Sequence, residues 1–192
     1  MENICVYCAS SSQVKSVYFD AAEKLGKIIA NNNLRLLYGG GHRGLMGKIA
    51  DTVLSEGGKV TGIIPGFMCE VEWNHNGLTE LILVESMHER KDKLAKMADA
   101  VVALPGGCGT MEELLEVITW KRLGIFTKPI VICNIDGYFD PLIEMLNRSV
   151  NENFMGEQHR NMWVVVDSPE LVLNAIKTSI PWSKNAKDFA AL

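Results

Sequence analysis

No long run of lysine or arginine occurs in this 192-residue chain, and its formal net charge is −4. Clustered cations are what neutralise a phosphodiester backbone, so the composition argues against nucleic acid as a partner. No apolar stretch is long enough to span a bilayer, and no charged segment with an apolar core behind it opens the chain, so no membrane partner is expected. Cysteine is sparse and odd in number, five in all. Cys5 and Cys8 form C-x-x-C, but ICVYC reads as a buried strand, and strand residues three apart face opposite sides. These are expected to be core thiols in a reducing, cytoplasmic protein rather than a redox pair. Histidines at metal-ligand spacing are missing: His42 and His75 have no such partner, and the segment beginning at His88 is H-E-R-K rather than H-E-x-x-H. No metal is therefore expected. Internal repeats and low-complexity linkers are absent too.

What is present is an alternation of short β-rich runs with helical patterns. Strands are expected at 3–8, 34–38, 59–64, 80–84, 100–104, 130–134 and 163–166. Helices are expected at 17–31, 45–56, 86–97, 110–123, 141–151 and 169–179. This order implies βαβ units, hence an α/β, Rossmann-like, doubly wound and largely parallel sheet with helices on both faces. Runs such as VVAL and IVIC are apolar throughout, as doubly covered strands must be. One domain over 1–180 and a polar, fraying tail over 181–192 account for the length. The longest irregular stretch, 67–78, is of a length that is usually functional.

Ligands of such sheets bind beyond the carboxyl ends of the strands, and two of these ends are glycine-rich. In YGGGHRGLMG, Gly39, Gly41 and Gly44 fit G-x-G-x-x-G. The next strand ends in Pro65 and Gly66 instead of an acid for a ribose diol, so a dinucleotide fits poorly. A tight turn, or a phosphate or sugar contact, remains open. The second turn, PGGCGT over 105–110, brings bare backbone and a helix N-terminus together, which suits an anion. It lacks the lysine of a Walker loop.

Carboxylates follow that turn at once, at Glu112, Glu113 and Glu116. Thr110 and Glu113 fit a T-x-x-E capping box, which would make them structural. A helical wheel places Met111, Leu114, Leu115 and Ile118 on the core face and Glu113 opposite, near Val117 and Trp120. That second apolar stripe implies a subunit partner. Upstream, Ser86 and Glu89 form an S-x-x-E box, yet Arg90 and Lys91 occupy the early turns, against the helix dipole. Either the face is simply solvated or an anion lies nearby.

Taken together, GGGHRGLMG, SMHERK and LPGGCGTMEELLEVITWKRLGIFTKPI resemble the LONELY GUY (LOG) family, from near the N-terminus to about Trp163. The family's members are cytokinin riboside 5′-monophosphate phosphoribohydrolases, with AMP nucleosidases among their relatives; they form homodimers or higher assemblies and need no redox cofactor. The resemblance implies a nucleoside 5′-monophosphate as substrate and Arg90 and Glu113 as the catalytic pair. It implies binding contacts at Gly40, Gly41, Met87, Lys91, Gly106, Gly107, Gly109, Thr110, Glu112 and Thr119, and at Glu72 in the irregular stretch. Cys108 stands where an aromatic residue is frequent, and VEWNHNG departs from the plant-like loop. Members were long labelled lysine decarboxylases, but no lysine here stands out as a Schiff-base residue. A non-catalytic carrier of a nucleotide or of the molybdenum cofactor is the competing reading, since related folds serve that role. For the enzyme, the acids have a reason: a nucleotide is anionic at its phosphate, while its ribose becomes cationic as the N-glycosidic bond breaks.

Overall fold

The computed structural model describes residues 1–70 and 73–186. In chain order the elements are β1 (Asn3–Tyr7), α1 (Ser16–Asn31), β2 (Arg35–Tyr38), α2 (Gly44–Ser55), β3 (Lys59–Pro65) and α3 (Gly66–Glu70). They continue as β4 (Glu80–Val84), α4 (Met87–Met97), β5 (Ala100–Ala103), α5 (Cys108–Arg122), β6 (Ile130–Cys133), α6 (Asp140–Asn151), β7 (Val164–Val166) and α7 (Val172–Thr178). Every strand pairing is parallel, in the order β4-β3-β2-β1-β5-β6-β7. The chain winds outward from β1 to β4, then crosses back to set β5 against β1. The expected doubly wound sheet is therefore the observed one.

The period-2 rule sorts the core into two layers. Ile4, Val6, Leu36 and Tyr38 pack with Leu25, Ile29, Leu45, Ile49 and Val172 of α1, α2 and α7. Cys5, Tyr7, Leu37 and Ile63 pack with Leu94, Leu114, Ile118 and Leu146 of α4, α5 and α6. Cys5 and Cys8 thus fall in opposite layers, and all five cysteines are free thiols. Among the described residues, no helix is long and apolar enough to cross a membrane.

Three expectations need correction. Helix α5 starts at Cys108, with Gly107 at its N-cap and no capping side chain. Thr110 is not the cap; its side chain is buried beneath Gly106, where an added Cβ would lie 2.1 Å from the Thr110 hydroxyl oxygen. The inner face of α5 is also rotated from the expected one. It comprises Thr110, Glu113, Leu114, Val117, Ile118 and Lys121, while Leu115 is 40% exposed. The wheel ranked faces by hydrophobicity, but this face buries Glu113 and Lys121 in pairings with other elements. Val117 therefore belongs to the core and not to a second stripe. Finally, the start of the expected tail is docked: Trp182 Nε1 donates to the Lys121 carbonyl at 2.5 Å, and Ala186 is fully buried.

Candidate active site

The switch in winding direction lies between β1 and β5, and there the sheet opens a cleft of about 510 Å³. That volume sits within the roughly 300–1,000 Å³ typical of small-molecule sites. Its walls include three strand ends: Val6–Ser10 at the end of β1, Gly39, Gly41, His42 and Arg43 after β2, and Gly107–Thr110 after β5. The loops are stitched together by backbone bonds from Ala9 N to Pro105 O at 3.1 Å and from Met46 N to Ala9 O at 3.2 Å. Helices α2 and α5 both begin at this rim.

At the floor, Arg90 of α4 meets Glu113 of α5, with Nη2 3.3 Å from Oε1 and both side chains about nine-tenths buried. Arg90 Nη1 also points at Met87 Sδ, 3.6 Å away. Arg90 Nε has no hydrogen-bond partner among the described residues. Burial pushes the Glu113 carboxyl up to about 7, although the Arg90 guanidinium pulls the other way; the neighbouring Glu112 charge adds to the rise. Desolvation outweighs the ion pair because a buried carboxylate loses its hydration. The result is a carboxyl poised near neutrality in a cleft.

The glycines of the first turn make room for this floor. A Cβ on Gly39 would lie 1.9 Å from Arg90 Nη2, so only glycine lets the guanidinium sit there. Gly44 has φ of +61°, and its Cβ would meet the Ser10 and Ser11 backbone at 2.5–2.7 Å. The G-x-G-x-x-G spacing is thus explained by close packing of this chain on itself.

Lys91 lies beside the floor, between Glu112 and Glu116; its contact to Glu116 is 3.1 Å. Burial would lower its ammonium, but hydrogen bonds to Glu112 and Glu116 outweigh that and leave it raised. The anions that answer the misplaced cations of α4 are therefore carboxylates of α5. Ser86 does cap α4, accepting from Glu89 N at 3.1 Å, while Glu89 Oε2 accepts from Glu85 N, one residue before the expected partner.

Of the expected residues, the fold brings Arg90, Glu113, Met87, Gly41, Gly107, Gly109, Thr110 and Glu112 to one cleft. Lys91 and Gly106 stand just behind its wall. Gly40, with φ of +77°, packs on Ile64 instead. Thr119 is exposed, and its hydroxyl donates to the Leu115 carbonyl at 2.8 Å, away from the cleft. Glu72 lies outside the described residues. Unforeseen are Tyr7, Ser10, His42, Arg43, Met46, Met68 and Trp73. The carboxyl ends of β1 and β2 were the available signal for most of them.

A family model described as "Possible lysine decarboxylase" matches residues 46–176. The chain is 43% identical to cytokinin riboside 5′-monophosphate phosphoribohydrolase LOG2 of Arabidopsis thaliana, over 93% of this chain and 84% of that protein. It is 44% identical to the LOG enzyme of the same description from Oryza sativa subsp. japonica, over 88% and 71%. This chain belongs to the LOG family. Solved structures with the same fold include the molybdenum cofactor binding protein of Rippkaea orientalis, with TM-score 0.69, 21% identity, and 92% and 96% of the two chains covered. The molybdenum cofactor carrier protein of Chlamydomonas reinhardtii aligns equally well, with TM-score 0.69, 22% identity and the same coverage. At that identity the likeness to the LOG-family chain shows the fold alone. Among the described residues of this LOG-family chain the two buried lysines are both engaged, Lys91 by two glutamates and Lys121 by the Lys128 carbonyl at 2.9 Å.

Proposed function

We propose that the chain is a hydrolase that cleaves the N-glycosidic bond of a purine-type nucleoside 5′-monophosphate, such as AMP or a cytokinin riboside monophosphate. Water is added, and free base and ribose 5-phosphate leave. The observation that carries the reading is the buried Arg90–Glu113 pair at the foot of a glycine turn, in one cleft. The Arabidopsis and Oryza relatives given above bear the name of this activity.

In the proposed mechanism the free N–H groups of Gly107 to Thr110 receive the phosphate, helped by the α5 dipole. Glu113 faces the ribose. Ionised, it stabilises the oxocarbenium-like sugar and orients the attacking water. Arg90 holds that carboxylate in place from below. One charge pair at about 4 Å with an effective dielectric near 20 contributes roughly 4 kcal/mol, on the order of a thousandfold in rate. Incubation with AMP and with an isopentenyl-type analogue should release adenine and the prenylated base respectively. Glu113→Gln should lower kcat about a thousandfold while nucleotide binding persists; full turnover by that variant would remove Glu113 from its role. A cofactor carrier has no use for the buried pair, and failure of the wild type to release any base would favour it.

We also infer a homo-oligomer in the cytosol. Leu115, Leu123 and Ile125 are exposed on and just after α5, at 40%, 43% and 70%, and a second copy would cover them. Five free thiols suit a reducing compartment.

A further inference from the structure

The Tyr138 hydroxyl donates to the Gly106 carbonyl oxygen at 2.6 Å, across 32 residues of sequence. Tyr138 is not part of the cleft wall; it reaches the glycine turn from behind, out of the loop between β6 and α6. That loop is heavily specified. Asp136 and Gly137 take positive φ, 54° and 67°. Asn134 bridges its two ends, accepting from Phe139 N at 2.6 Å and donating to Asp140 at 2.7 Å. Lys15 of the segment before α1 pairs with Asp136 at 2.9 Å. The Tyr138 ring itself stands edge-on to Tyr18 and Phe139, with centroids 5.8 and 5.1 Å away. Two sets of contacts therefore fix a phenol whose hydroxyl ends on one backbone oxygen.

That oxygen belongs to a planar peptide whose other polar group is the Gly107 N–H, and the two point in opposite directions. Glycine flanks the peptide on both sides, so no side chain of its own restricts its rotation. We propose that Tyr138 is a positioning residue for phosphate binding: by holding the Gly106 carbonyl outward it aims the Gly107 N–H into the cleft. Without the hydroxyl the Gly106–Gly107 peptide is free to turn over, and a turned peptide presents a carbonyl oxygen to the phosphate, replacing a donor by a repelling acceptor. This rests on the nucleoside monophosphate reading above.

The test is Tyr138→Phe, which keeps the ring and its contacts and removes one oxygen. Binding of AMP, ribose 5-phosphate and adenosine is measured by calorimetry on wild type and variant, with steady-state kinetics on AMP. The expected result is about tenfold weaker binding of both phosphorylated ligands, or about 1.4 kcal/mol. Adenosine affinity should be unchanged, and KM should rise far more than kcat falls. Equal AMP affinity in the two proteins, or an equal loss for adenosine, overturns the proposal. If wild type binds ribose 5-phosphate but releases no base from any nucleotide, the hydrolase reading falls while the ribose 5-phosphate comparison still decides the role of Tyr138. If wild type binds no phosphorylated ligand, both fall.

Discussion

At the scale of single residues, the site is governed by a carboxyl that the fold makes costly to ionise. Glu113 near 7 lies well above the ordinary 4.5. A neutral Glu113 cannot stabilise a sugar cation, so kcat/KM should fall about tenfold per pH unit below about 7, and Glu113→Gln should lack that limb. Stability carries the same signature with a definite sign. The folded state binds the Glu113 proton more tightly than the unfolded chain. This contribution is complete below about pH 4.5 and is lost as pH rises through about 7. Denaturant melts between these limits should show wild type losing about 3 kcal/mol relative to Glu113→Gln; parallel pH profiles for the two proteins would show that the carboxyl does not titrate as the geometry implies. That Arg90 and Glu113 would meet in one cleft was legible through the family resemblance, whose motifs, M-x-x-R-K and P-G-G-x-G-T-x-x-E, are specific in combination. Tyr138 was not, since its role depends on a single oxygen reaching a carbonyl 32 residues away. Nor were Tyr7 and Ser10, which look like ordinary continuations of β1 until the neighbouring strand ends enclose them.

Among the elements, α4 and α5 together make the floor, and the turn after β2 makes room for it. The type of every long element could be read from hydrophobic period and turn chemistry. The phase of α5 could not, because half of its inner face is polar and becomes interior only through partners on α4 and in the loop before β6: Arg90 for Glu113, the Lys128 carbonyl for Lys121. The function of Gly39 was hidden for a related reason, since a glycine reports nothing about what occupies the space it leaves. Gly39→Ala should displace the guanidinium that now sits 1.9 Å from the would-be Cβ. A misplacement of about 1 Å in a catalytic group can cost on the order of a hundredfold in rate, so kcat/KM should fall by about that factor. Arg90→Ala combined with Gly39→Ala should then be no worse than Arg90→Ala alone, a double-mutant cycle that separates displacement of the arginine from general damage.

For the whole molecule, the parallel sheet and its reversal between β1 and β5 decide where a ligand goes. That much followed from the alternation of strands and helices, which also led to the two glycine-rich strand ends. The number and arrangement of subunits did not follow, because the stripe that suggested a partner runs through Val117, a core residue at 1% exposure. The case for assembly now rests on Leu115, Leu123 and Ile125. Light scattering at micromolar concentration should give at least a dimer mass for the wild type, and Leu115→Glu with Ile125→Glu should shift it toward the monomer. A monomeric wild type would leave those apolar side chains to another partner.

The bond between Trp182 and the Lys121 carbonyl spans 61 residues. During synthesis the glycine turn and all of α5 emerge well before the indole that covers the helix's far end, with β6, α6, β7 and α7 made in between. A nascent chain therefore carries α5 with the Lys121 carbonyl still waiting for its indole donor. Helix α5 is thus started early in translation and sealed late, and a chain cut short of Trp182 should lose protection first at that helix's last turn in limited proteolysis.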